Sequence, residues 1–113
     1  MKEIRVYLDD ILDSIEKIEE YTRGVNFKKF DSNTELQDAV VRRLEIIGEA
    51  VKNLPTETKN KYREIPWRQI AGMRDILIHE YAGVSIKRVW KVIADDLSPL
   101  NKIALKILEN LKE

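Results

Sequence analysis

The sequence predicts an all-α protein, an up-and-down helical bundle of four to five helices forming one domain over residues 1–113. Three observations predict it. Apolar residues recur every three or four positions along two stretches of about twenty residues each. Only four Gly and three Pro interrupt the chain, too few for the many turns of an all-β fold. No segment alternates apolar and polar side chains with the period of two that a half-buried strand needs.

The first helix is expected over residues 2–23. Ile4, Leu8, Ile11, Leu12, Ile15 and Ile18 line one side of it, so a single stripe faces a core. Gly24 sits where a helix C-terminal glycine belongs. A loop over residues 25–31 follows, with Phe27 and Phe30 as anchors. Ser32-Asn-Thr-Glu35 fits a capping box that starts a second helix. Its stripe is Leu36, Val40, Leu44, Ile47, Val51 and Leu54, and Pro55 ends it. Two helices this long leave a chain of 113 residues room only for a bundle.

A short helical turn is expected over residues 56–62. Pro66 suits the first turn of a third helix carrying Trp67, Ile70, Met73, Leu77 and Ile78. That helix should stop near residues 79–83, with Gly83 as the stop signal. Ser85 caps a fourth, with Ile86, Val89, Trp90 and Ile93 facing in. Ser98-Pro99 reads as cap and first turn of a fifth, with Leu100, Ile103, Ile107 and Leu111 on its inner side. No repeat, linker or low-complexity segment appears.

Composition narrows the function classes. Apolar residues make up 43% of the chain and charged ones 35%, which suits amphipathic helices with solvated outer faces. Cysteine is absent, which excludes disulfides and thiolate metal sites. No apolar run approaches the roughly 20 residues that span a bilayer, so no membrane role is expected. The charged start MKEIRVYLDD lacks the apolar core of a signal peptide, and the expected location is the cytoplasm. Lys plus Arg equal Asp plus Glu at 20 each, which argues against binding long nucleic acid by charge alone.

The charge is unevenly spread. Residues 1–20 carry seven acids and three bases, whereas residues 52–94 carry nine bases and four acids. The basic segment could meet a phosphate backbone locally, although a solvated helix face explains the same pattern.

Candidate chemistry concentrates in one place. There is no glycine-rich phosphate loop and no dinucleotide fingerprint. The chain has one histidine, so no multi-histidine metal site can form within it, and no cofactor is expected. The acidic pairs Asp9/Asp10 and Asp95/Asp96 are neighbours that point to different sides of a helix, and read as solvated surface. What remains is Arg74-Asp-Ile-Leu-Ile-His79-Glu-Tyr81. On a regular helix Arg74 and His79 lie about 140° apart, whereas Asp75 and His79, four apart, share a face. The Asp75 carboxylate could accept the imidazole N–H and fix its tautomer.

Two geometries could bring Arg74 and His79 to one substrate: the helix unwinds near His79, or two chains share the site. The histidine count favours the second. Cleaving RNA through its own 2′-hydroxyl needs a base and an acid, and a symmetric dimer supplies two imidazoles and two guanidiniums without a metal. Each residue also has a plainer reading. A lone histidine at a helix end is commonly a surface or capping group, Arg74 a salt-bridge partner of Asp75 or of an acid such as Glu45, and Tyr81 the edge of a core. Trp67 and Trp90 read as core or dimer anchors before base-stacking platforms. The residues alone therefore leave ribonuclease as one reading among several.

Arg74, His79 and Tyr81 match the R-x4-H-x-Y signature, and the segments Arg43-Leu-Glu-Ile-Ile-Gly-Glu-Ala50, Ile65-Pro-Trp67, Ile70-Ala-Gly-Met-Arg74 and Val89-Trp90 accompany it in order. In these features, spanning residues 4–111, the chain resembles HEPN domains, and within them the HepT-like branch. The resemblance implies a helical bundle that forms a homodimer with its two motifs facing. It also implies a metal-independent endoribonuclease, the toxin of a toxin–antitoxin pair. Arg74 and His79 would be catalytic, and Asp75 would orient His79. Tyr81 would receive AMP from ATP through an antitoxin of the minimal nucleotidyltransferase family. The alternative is a non-catalytic module that binds RNA or a nucleotide beside such a nucleotidyltransferase.

Overall fold

The computed structural model describes residues 3–80 and 85–111, with the backbone alone for residues 78–80. Seven helices are found among them: α1 (Ile4–Thr22), α2 (Phe27–Asp31), α3 (Thr34–Asn53), α4 (Thr56–Asn60), α5 (Trp67–Glu80), α6 (Ile86–Asp95) and α7 (Leu97–Asn110). Five of these are the expected long helices, and α4 is the expected short turn. No strand occurs among the described residues.

The α1 stripe packs as its spacing predicts. Leu8, Ile11, Ile15 and Ile18 are fully buried. Each contributes about 1.5–3 kcal/mol from leaving water, before the entropy of ordering is counted. Gly24 ends this region with φ +73°, a left-handed conformation that glycine adopts without a Cβ penalty. Helix α3 is the centre of the bundle and packs against both α1 and α5. Its buried face holds Val40, Val41, Leu44, Ile47, Ala50 and Val51. The α1–α7 and α6–α7 contacts close the far side.

The expected loop at residues 25–31 is instead a helical turn, α2. The Asn26 side chain caps it by accepting the Lys29 backbone N–H at 2.9 Å. Phe30 is buried with its ring centroid 5.0 Å from that of Trp90, and Phe27 meets Trp90 edge-on at 6.1 Å. The two phenylalanines are anchors as expected, and Trp90 is a packing residue among the described contacts. Gln37 ties the turn to α3 by donating from Nε2 to the carbonyls of Phe30 and Asp31.

Three other boundaries shift. The cap of α3 is Asn33, which accepts the Leu36 N–H at 3.0 Å, rather than Ser32. The Ser32 hydroxyl donates to the Lys29 carbonyl, so it already serves the end of α2. Helix α7 begins at Leu97, which places Ser98-Pro99 inside its first turn, where proline's missing N–H costs nothing. Leu111, expected to face in, is 39% exposed because it lies beyond the last residue of α7.

Trp67 is buried, and its indole N–H donates to the carbonyls of Lys59 and Tyr62. One side chain thus pins the α4 turn to the start of α5. Pro66 immediately precedes α5, and its carbonyl accepts the Ile70 N–H.

Candidate active site on helix α5

Helix α5 runs unbroken from Trp67 to Glu80 and carries Arg74, Asp75 and His79. The backbone is helical at His79, so the chain does not unwind there. The positions of Arg74 and His79 accordingly stay about 140° apart around the helix axis. Tyr81 lies outside the described residues, as do the side chain of His79 and its expected contact with Asp75.

Arg74 is held from two sides. Its Nε lies 2.7 Å from Oε2 of Glu49 on α3, and its Nη1 donates to Oδ1 of Asp75 at 3.0 Å. The expected partner Asp75 is present. The second acid is Glu49, one helical turn beyond Glu45, which pairs with Arg42 instead. The Arg74 side chain is 30% exposed and both carboxylates are more so. Partly exposed pairs of this kind stabilise a fold by about 0–1 kcal/mol. Their main effect is directional, because charge-assisted hydrogen bonds fix the plane of the guanidinium. Among the described residues they occupy two of its five N–H donors.

Backbone proximity sets this geometry. A Cβ on Gly48 would come within 2.7 Å of the Arg74 Cβ and 3.1 Å of the Ile70 carbonyl. Only glycine lets α3 and α5 approach so closely, and the next residue, Glu49, is thereby brought against Arg74. The sequence pattern alone gives Glu49 no role. The available signal was Gly48 itself, since a glycine inside a long helix costs about 1 kcal/mol and calls for a packing reason.

The two sides of α5 differ in charge. Arg74 opens onto a groove between α1 and α3 that also holds Tyr7, Asp10, Arg42, Glu45 and Glu49, where acids outnumber bases. A second, open groove lies along α4 and the other side of α5. It holds Lys52, Lys59, Arg63 and Arg68, with Glu64 and Asp75 as its acids. Among the described residues no cluster of three or more His, Asp or Glu side chains is placed to hold a metal ion, and no helix is long and apolar enough to cross a membrane.

A helical bundle whose α5, packed against the central α3, carries the Arg74 and His79 of an R-x4-H-x-Y sequence motif defines a HEPN-class domain. A family profile described as "Ribonuclease HepT-like" matches residues 11–107, and the chain belongs to this family. It is 46% identical over 112 residues to a protein of Caldanaerobacter subterraneus named "Putative RNase TTE0752", covering 99% of this chain and 100% of that one. It is 50% identical over 94 residues to "Probable ribonuclease HepT" of Thermococcus cleftensis, covering 83% and 86% respectively. It is also 51% identical over 110 residues to "Gamma-glutamylcyclotransferase and putative RNase MJ0434" of Methanocaldococcus jannaschii, of which it spans only 50% of the length. No solved structure gives a significant match.

Proposed function

We propose that this protein is a metal-independent endoribonuclease that acts as a homodimer and serves as the toxin of a toxin–antitoxin pair. The observation that carries the reading is the unbroken α5, together with a family match that includes it. The positions of Arg74 and His79 lie on different sides of one helix, and a single chain brings only one imidazole to a site. A second copy of α5, related by a two-fold axis, supplies the missing groups.

In that site one His79 accepts the proton of the ribose 2′-hydroxyl as the oxygen attacks phosphorus. The partner's His79 donates a proton to the departing 5′-oxygen. A P–O bond forms and another breaks, leaving a 2′,3′-cyclic phosphate and a 5′-hydroxyl. Arg74, oriented by Glu49 and Asp75, stabilises charge on the phosphoryl oxygens as it builds.

Regulation follows from the same motif. In this reading a minimal nucleotidyltransferase antitoxin transfers AMP from ATP to the Tyr81 oxygen, with pyrophosphate leaving. The added bulk and negative charge exclude RNA without unfolding the toxin. Incubating the pure protein with RNA and a chelator tests the activity. Cleavage with cyclic phosphate ends, abolished in His79→Ala, supports the reading. Tight RNA binding by wild type without cleavage would favour the non-catalytic module.

A further inference from the structure

We propose that the open groove formed by Lys52, Arg63 and Arg68 is where the phosphate backbone of a single-stranded RNA is drawn in and led to His79. The inference rests on the ribonuclease reading and says by which side the substrate enters. Arg74 cannot attract the strand by itself, because with Glu49 and Asp75 bound to it the cluster carries a net charge of about −1. The groove on its own side adds Asp10 and Glu45 against Arg42, a further net charge of about −1. An anionic polymer approaching from there meets repulsion.

The opposite groove is different. Lys52, Arg63 and Arg68 are exposed, line one open surface and make no ion pair among the described residues. Lys59 donates from Nζ to the Val51 carbonyl at 3.3 Å, so it braces the wall, leaving three cations for a ligand against the groove's two acids, Glu64 and Asp75. Register then ties this surface to the motif. Arg68, Gly72, Asp75 and His79 follow one another at spacings of four, three and four, one stripe of α5 that climbs about 16 Å from the basic end to the histidine position. Above Gly72 a Cβ would meet nothing within 4 Å, so the stripe is open there, and the Asp75 carboxylate that follows is held by Arg74. The only tryptophan there, Trp67, is buried, so the groove reads backbone charge rather than stacked bases.

The test measures binding of a fluorescent single-stranded RNA to full-length protein carrying His79→Ala, as a function of salt. Adding Arg63→Gln and Arg68→Gln should weaken binding roughly tenfold at low salt. It should also reduce the slope of log affinity against log salt by about 1.4, or 0.7 per lost phosphate contact. Lys28→Gln with Lys29→Gln on α2 removes the same charge elsewhere and should leave both values unchanged. Equal affinity and slope in the groove variant, or an equal loss in the α2 variant, would overturn the proposal. A wild-type protein that binds RNA through the groove yet never cuts it would sink the ribonuclease reading and leave this one standing.

Discussion

The Nε of Arg74 lies 2.7 Å from Oε2 of Glu49, joining the third and fifth helices across the bundle. Because both side chains reach solvent, the pair contributes little to folding. Its consequence is a guanidinium fixed in one plane. Glu49→Gln should therefore leave the melting temperature within about 3 °C of wild type, corresponding to about 0.5 kcal/mol. RNA cleavage should fall roughly tenfold, the cost of a misdirected charged donor. Kinetics beside thermal denaturation separate the two. A large loss of stability with cleavage per folded molecule unchanged would contradict the positioning role.

Gly48 and Gly72 predict opposite outcomes for the same substitution. Gly48→Ala drives a methyl against the Arg74 Cβ and the Ile70 carbonyl, and should destabilise by about 1–3 kcal/mol as α3 and α5 separate. Gly72→Ala adds its methyl to open space and should stabilise by about 0.5–1 kcal/mol through helix propensity. Denaturant unfolding of the two variants checks the pair.

Asp96 makes stability depend on pH. Burial first, then repulsion from Asp95, raise its carboxyl above the ordinary value of 3.8, while Lys91 acts the other way. The folded state thus holds this proton more tightly than the unfolded chain. Its contribution is lost as pH rises from 3.8 through the raised value, and the cost is complete at neutral pH. Asp96→Asn should raise the melting temperature at pH 7 and lose that advantage below pH 3.8. The same gain at both pH values would refute the assignment.

Ile76 is 37% exposed, one residue from Asp75 and three before His79. If two copies of α5 meet, this side chain belongs at the seam. Burying what remains exposed of one Ile from each subunit contributes about 1–2 kcal/mol per dimer. Ile76→Asp should therefore shift sedimentation toward the monomer at concentrations where wild type is paired. An unchanged dimer would place the seam elsewhere.

Much of the bundle was legible because the apolar stripes of α1 and α3 are long and regular, and because Gly24, Pro55 and Pro66 punctuate them. The turn at α2 was hidden because its five residues are too few to show a period. Its stability comes from the Asn26 cap and from Trp90, sixty residues away. The competition between Ser32 and Asn33 for the α3 cap was decided by tertiary context, since Ser32 is occupied by α2. At the site, the Arg74–Asp75 pairing followed from sequence neighbours. The Glu49 contact did not, because it depends on how closely two helices approach.

In the proposed site catalysis draws on His79 from two chains, and mixed dimers distinguish this from a site within one chain. Wild type is unfolded and refolded with an equal amount of His79→Ala, and RNA cleavage is measured in chelator. If both imidazoles are required, only the dimers that are wild type in both subunits act, and activity per total chain falls to about a quarter. Activity of about half, the value for chains that each cut alone, would contradict the account.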